Sequence, residues 1–346
     1  MKILHTSDFH IGHQFFGIDR SEEFEEFFEW LRKLIKKEQI DVLLISGDIF
    51  DVYMPSSLAL RQYFDFLLSL KDLVKKVIII GGNHDSANTL LASKALLKEI
   101  DVEVISGAED DFVKLIEFED FDVLAVSYLR DGIIEKNGGF ERAFKNIYKP
   151  SKKPTIAMGH LTVYGSKNSG SERDIYIGKI EGVNSEIFKD FVYTALGHIH
   201  KPQEIKKGIV YSGSPLQMSF DENYQKKVVL IDSKDFSYKF IDVPRFREFV
   251  RLKGKFEEIM EKVKILKPKT FVEIELEEIV DSVKLDELRR ENLFVVKIKL
   301  PFVEISQKNI EVEKITPVNL IKEIFKEDED LEEILKVIEE LRTYEN

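Results

Sequence analysis

Along residues 1–100 the apolar positions follow two alternating rhythms. A short strand-like segment at 2–6, built on Ile3-Leu4, and unbroken apolar runs at 42–45 and 77–80 are separated by longer segments, at 21–37, 57–70 and 88–100, where apolar residues return every three or four positions. The runs read as buried parallel strands and the periodic segments as amphipathic helices. The helix at 21–37 is expected to open at Ser21, with glutamates in its first turn. Strand and helix in strict turn imply right-handed βαβ units and a mostly parallel sheet. From 102 to 243 the pattern is mixed. Short strands are predicted at 102–105, 113–118, 122–128, 155–159, 192–196, 209–212, 227–231 and 236–242, with a helix near 140–147. A second sheet packed on the first follows, an α/β chain of the α+β four-layer sandwich type.

Pro244 opens a faster rhythm, strand–helix–strand–helix–strand within 248–300. That predicts a small α/β domain over 245–315, set apart from a main domain over 1–244. Its Lys262, Lys264, Lys267, Lys269, Arg289 and Arg290 suit either a polyanion or a solvated charged face. After Pro317, Leu320, Ile321, Ile324 and Phe325 share one helical face, and Leu331, Ile334, Leu335, Ile338 and Leu341 share another. Two such helices over 316–346 either pack back on the body or dock on a partner.

Composition narrows this picture. The 346 residues suit about two domains with a sizeable core. No apolar run approaches the roughly 20 residues of a membrane span. The first residues enter a strand at once, so no signal peptide is expected and the cytoplasm is the expected location. The chain has no cysteine, so any metal must rest on His, Asp, Glu and Asn. Net charge is −12, but residues 317–346 hold ten acidic and four basic residues, half of the excess. The remainder is close to balanced, so indiscriminate nucleic-acid binding by bulk charge is not expected, while a local basic groove is compatible.

The candidate chemistry lies where the apolar runs stop. The run at 42–45 ends in Ser46-Gly47-Asp48, and four others end in Asp8-Phe9-His10, Asn83-His84-Asp85, His160 and His198-Ile199-His200. Strand tips of open α/β sheets are where ligands sit, so five similar tips point to one site. Asp8, His10, Asp48, Asn83, His160, His198 and His200 supply the oxygen and nitrogen donors that two divalent ions about 4 Å apart require, with Asp48 as the shared carboxylate. Asp8-x-His10 and His198-x-His200 each put two ligands on one side of an extended segment. Without thiolates, Mn²⁺, Mg²⁺ or Fe²⁺ is favoured over structural zinc. His84 beside Asp85 has the pattern of a proton donor oriented by a carboxylate. The reaction indicated is in-line hydrolysis of a phosphoester. His5, inside a strand, reads as a core residue; His13, in a loop, is undecided. Gly159 to Lys167 lacks Walker A spacing, so ATP use must come from elsewhere.

Asp8-x-His10, Gly47-Asp48-x-x-Asp51, Gly82-Asn83-His84-Asp85, Gly159-His160 and Gly197-His198-x-His200 together resemble the calcineurin-like metallophosphoesterase superfamily. Within it the closer resemblance is to the SbcD nuclease subunits of bacterial SbcC–SbcD complexes. Further shared motifs are Gly159-His160-Leu161-Thr162, Arg173-Asp174-Ile175-Tyr176-Ile177-Gly178, Gly213-Ser214-Pro215 and Ser219-Phe220-Asp221-Glu222.

The resemblance implies one Mn²⁺ on Asp8, His10, Asp48 and His200 and another on Asp48, Asn83, His160 and His198, with His84, supported by Asp85, acting on the scissile phosphate. Archaeal and eukaryotic relatives carry a functional His three residues after the bridging Asp, where this chain has Asp51. Asp51, His13 and Arg173 are candidate substrate contacts. The implied activity is Mn²⁺-dependent double-strand exonuclease and single-strand or hairpin endonuclease action in DNA repair, recombination and replication. The implied partners are DNA, an SbcC-type ABC ATPase whose coiled coil is gripped by the helices of residues 316–346, and a second copy of the chain. The copies would meet through helices near 57–70 and 88–98 that offer Leu60, Phe64, Leu67, Leu91 and Leu96. The 245–315 domain would cap DNA. The alternative reading is a phosphatase or phosphodiesterase acting on a small phosphoester.

Overall fold

A computed structural model describes residues 1–167 and 182–301. Met1–Leu300 form one compact unit. The tail helices expected over 316–346, and Arg173 with the 173–178 motif, lie outside the described residues.

Two six-stranded sheets make the body. The first runs in the order Tyr238–Asp242, Lys227–Asp232, Lys2–Thr6, Val42–Ser46, Lys76–Ile80, Val102–Ile105. Its last four strands are parallel, and Lys227–Asp232 pairs antiparallel with Lys2–Thr6. The second runs Gln203–Lys206, Ile209–Tyr211, Tyr193–Gly197, Thr155–His160, Asp122–Val126, Val113–Glu117. Strands buried on both faces explain the unbroken apolar runs. Ile3, Val42, Leu44, Ile78 and Ile80 meet Val123, Ile156, Met158, Tyr193 and Ala195 between the sheets. On the far side of the first sheet, Leu4, Leu43, Ile45, Val77 and Ile79 pack on Phe24, Phe27, Leu31 and Ile35 of the helix Ser21–Glu38. Helices Asp131–Lys136 and Phe140–Ile147 lie over the second sheet through Ile133 and Phe144. These are the four layers of the expected sandwich.

Local differences have local causes. Ser21 does not cap its helix; the Asp19 carboxylate accepts from the Ser21 amide at 2.9 Å instead. A two-stranded hairpin, Gln14–Phe15 with Ile18–Asp19, went unpredicted because it is too short to show alternation. Phe16 and Gly17 both have positive φ (51° and 79°), as its two-residue turn requires. The strand expected at 236–242 starts at Tyr238, since Phe236 adopts a left-handed φ of 55° in the preceding turn.

The fast rhythm after Pro244 forms a three-stranded parallel sheet, Phe249–Gly254, Phe271–Leu276 and Val295–Lys299. Helices Phe256–Lys264 and Ser282–Glu291 cover it, with a separate core of Phe256, Ile259, Val272, Ile274 and Leu288. Of the six cations proposed for a polyanion, Lys267 pairs with Glu248, Lys269 with Glu22 and Arg289 with Asp286. Of the five residues offered for a contact between copies, Leu67 is fully buried, and Leu60 and Phe64 pack partly on the core. Leu91 and Leu96 are exposed.

Candidate metal centre

The strand tips converge at one end of both sheets. Asp8 and His10 follow Lys2–Thr6, Asp48 follows Val42–Ser46, and Asn83 and His84 follow Lys76–Ile80. His160 ends Thr155–His160, and His198 and His200 follow Tyr193–Gly197. The parallel register sets these tips side by side, and backbone bonds from Asp8 N to Gly47 O and His10 N to Asp48 O (both 3.0 Å) lock the first two together.

The tips turn sharply. Asp8, His10, Asp48 and His198 all have positive φ (53°, 52°, 49° and 95°), although none is glycine. Each such residue costs on the order of 1 kcal/mol or more, and strain of this kind gathers at sites where function fixes the geometry. Glycines make the room. A Cβ on Gly82 would overlap the Asp48 carboxylate, and one on Gly47, itself at φ +86°, would overlap the His160 ring.

Two donor groups result, joined by Asp48. In one, Asn83 Oδ1 lies 2.8 Å from His160 Nε2 and 3.0 Å from His198 Nδ1, and His160 Nε2 is 3.3 Å from Asp48 Oδ2. In the other, His10 Nε2 lies 3.1 Å from His200 Nε2 and 3.7 Å from the same Asp48 oxygen. Asp8 with His10 and His200, and Asp48 with His160 and His198, each bring their donor atoms within 4.8 Å of one another. The two groups hold all seven expected donors, and five of them, His10, Asp48, Asn83, His198 and His200, line a cleft of about 210 Å³ together with His13, Asp51 and His84.

The chemistry of these donors fits divalent cations. Asp8 and Asp48 are buried to 0% and 2% exposure, and among the described residues their side chains pair with histidines, Ser7 and backbone N–H groups but with no Lys or Arg. Buried anionic carboxylates without a cation are costly. His10 and His200 each turn Nδ1 towards a carboxylate, Asp51 Oδ1 at 3.4 Å and Glu222 Oε1 at 3.3 Å. Their facing Nε2 atoms are then lone-pair donors 3.1 Å apart, an arrangement that needs a cation or a proton between them. Electrostatics agree. Burial opposes charge on His160, but the adjacent Asp48 carboxylate outweighs it and pushes the pKa up to about 9. Asp48 is likewise held well below the usual carboxylate range by His160 and its neighbours, despite burial. Burial pushes the His10 pKa down; it also opposes charge on His200, but the bond to Glu222 and the negative charges of Asp8 and Glu222 together outweigh it and raise that pKa.

Other residues take roles that differ from those expected. His84 Nδ1 is 2.7 Å from the Asp51 carbonyl and donates to it, so Nε2 is the nitrogen left for the cleft. Asp85 does not support that ring. Its carboxylate turns inward and accepts from Gly82 N (2.8 Å), Phe50 N (3.0 Å) and Ile49 N (3.1 Å), which pins the loop carrying Asn83 and His84 to the Asp48 tip. Burial and the nearby Asp48 push its pKa up to about 6. Asp51 lies between His10 and His13, 3.2 Å from His13 Nδ1. His5 is a core residue as expected: its ring lies 3.0 Å from Tyr193 Oη and burial pushes its pKa down to about 3. Sequence reasoning missed Glu222 as a partner of His200; its only sign was its place in a shared motif of unassigned role.

The sequence model of the calcineurin-like phosphoesterase family matches residues 1–202. The SbcD protein of the SbcCD nuclease of Escherichia coli (strain K12) is 32% identical over 285 residues, covering 73% of this chain and 71% of that one. Its namesake in Bacillus subtilis (strain 168) is 33% identical over 262 residues, covering 68% and 66%. The Staphylococcus epidermidis protein of that name is 32% identical over 285 residues, covering 77% and 76%.

Proposed function

This chain belongs to the calcineurin-like phosphoesterases and, within them, to the SbcD family of SbcCD nucleases, and from that premise we propose that its cleft is a two-metal, Mn²⁺-dependent centre for cutting DNA. The chain is a phosphodiester hydrolase acting on DNA, a metal-dependent nuclease. The observation that carries the finer reading is Asp48 Oδ2, which lies 3.3 Å from His160 Nε2 and 3.7 Å from His10 Nε2, between two groups of donors. One ion would rest on Asp8, His10, Asp48 and His200, the other on Asp48, Asn83, His160 and His198. Ions bound there supply a water nucleophile at neutral pH and neutralise charge on the phosphate.

The chain's own residues do the rest. In its doubly protonated form His84, its Nδ1–H held by the Asp51 carbonyl, presents Nε2–H to the scissile phosphate and gives that proton to the leaving oxygen, remaining as the neutral imidazole protonated on Nδ1. Asp51 keeps His10 turned so that Nε2 faces inward. Asp85 is a positioning residue, since it fixes the backbone that carries Asn83 and His84. Residues 245–315 would cap the DNA, and 316–346 would dock an SbcC-type ATPase, the source of ATP use. A homodimer through the exposed Leu91 and Leu96 completes the reading.

The test is cleavage of a labelled DNA hairpin and a blunt duplex with Mn²⁺, beside p-nitrophenyl phosphate as a small phosphoester. His84→Ala is expected to lower cleavage about 10²–10⁴-fold, the range for a general acid, while calorimetry still finds two Mn²⁺ per chain. Loss of the metals in that variant would overturn the role given to His84. Faster turnover of p-nitrophenyl phosphate than of either DNA would favour the small-phosphoester alternative.

A further inference from the structure

One fully buried carboxylate near the cleft is not among the seven metal donors. Glu222 is 0% exposed, and its two oxygens have different partners. Oε1 lies 3.3 Å from His200 Nδ1. Oε2 accepts from the Met218 amide at 2.7 Å and from Lys226 Nζ at 2.6 Å. Lys226 is itself 7% exposed and donates also to Ser214 Oγ at 2.8 Å. Ser214 Oγ bonds the Leu216 carbonyl at 3.0 Å, so the network is tied to backbone at both ends.

A buried ion pair costs more in desolvation than it returns unless every donor and acceptor is satisfied, so this one is weak evidence of a device for stability. Its geometry suits another task. An imidazole can hold a metal through Nε2 only if the proton sits on Nδ1, and a carboxylate facing Nδ1 fixes that tautomer and raises the basicity of the ring. Lys226 bonds the Glu222 oxygen that does not face His200, which holds the carboxylate in place. The same short segment reaches into the small α/β part. Asp221 bonds Arg251 at 2.7 Å, Arg251 bonds Glu273 at 2.5 Å, and the Phe220 ring packs on Phe249 with centroids 5.4 Å apart. Glu222 is therefore held from three directions.

We infer that Glu222, backed by Lys226 and Ser214, is the positioning residue that orients His200 towards the metal ion, and that it governs the affinity of one of the two metal positions and not the other. The inference rests on the two-metal reading. The second position is its internal control, because the His160 ring is oriented by a different group, the Ser46 carbonyl 2.9 Å from its Nδ1.

The test is calorimetric titration of the full-length chain with Mn²⁺ alone. Wild type is expected to bind two ions. Glu222→Gln, of the same shape and still able to accept from the Met218 amide, is expected to weaken one of them about 10- to 100-fold and leave the other unchanged. Glu222→Gln combined with Lys226→Met removes both charges, serves if the single variant does not fold, and should give the same split. Two ions bound with wild-type affinity by either folded variant would overturn the inference, and so would equal weakening of both positions, the mark of a general structural role. Failure of the wild type to bind two ions would instead overturn the two-metal reading, so the two failures are distinguishable.

Discussion

At the scale of single residues the centre depends on close approach as much as on donors. Gly82 has no special φ, yet a Cβ there would fall on both the carboxylate and the amide of Asp48, two groups held in place by the sheet register. Gly82→Ala should therefore displace Asp48, cost about 1–3 kcal/mol as an overpacked site, and weaken Mn²⁺ binding measurably. Gly132→Ala is the control, since its Cβ would meet only the Glu109 carboxylate at 3.6 Å; its urea midpoint should hold or rise slightly. A Gly82→Ala protein with wild-type stability and metal affinity would contradict the steric account. The seven donors were legible because each ends an apolar run, and strand tips in a parallel sheet must gather at one edge. Asp85 and Glu222 were not. Adjacency in sequence suggested that Asp85 serves His84, but the turn sends successive side chains apart, and Asp85 finds three backbone amides instead. Glu222 meets His200 only through folding, across 22 positions of chain.

At the scale of elements the small parallel sheet carries its own electrostatic signature. Glu273, in its central strand, is 4% exposed and faces Arg251, Lys297 and Lys299 at 2.5, 3.2 and 3.0 Å. Burial resists ionisation, but these three cations outweigh it and bring the pKa down to about 2. An unfolded chain would have it near the ordinary glutamate value of about 4.3. The folded value is the lower one, so this group's contribution to stability is complete above about pH 4.5 and fades as the pH falls towards 2. Urea unfolding followed by circular dichroism from pH 7 to pH 3 should show wild type losing stability more steeply than Glu273→Gln below pH 4.5. Parallel slopes would mean that the three half-exposed cations are too well screened to matter. The rhythm of this element was legible in the sequence, since strand and helix alternate within short spans. The pairing of Glu273 was not, because parallel neighbours come from distant positions and alternation says only that Lys297 and Lys299 share a face.

At the scale of the whole unit of residues 1–300, the question is how the small sheet is held on the phosphoesterase body. The hairpin that the sequence concealed supplies one half of the answer. Phe15 is buried and its ring lies 4.9 Å from Phe249 and 4.8 Å from Phe271, with Phe220 at 5.5 Å, so an element of the body is inserted among the aromatic side chains of the small sheet. The other half is ionic. Arg20, 0% exposed, makes a two-pronged pair with Glu23 at 2.8 and 2.7 Å and bonds the Gln217 carbonyl, while Arg247 approaches Glu23 Oε1 at 3.5 Å. Glu23 thus stands between two largely buried guanidinium groups, one from each side of the junction. Removing it leaves Arg20 buried without its carboxylate and Arg247 with only its contact to Glu22 at 3.7 Å, a change that costs about 3–5 kcal/mol. Glu23→Ala should lower the unfolding midpoint by that margin and split a single calorimetric transition into two, the small sheet melting first because its attachment has been weakened and its own core is small. Phe15→Ala, which removes the aromatic half, should act in the same direction at about 3–5 kcal/mol. If Glu23→Ala lowered stability yet kept one cooperative transition, the triad would be a stabiliser of the helix Ser21–Glu38 alone, and the aromatic insertion would be what joins the two parts.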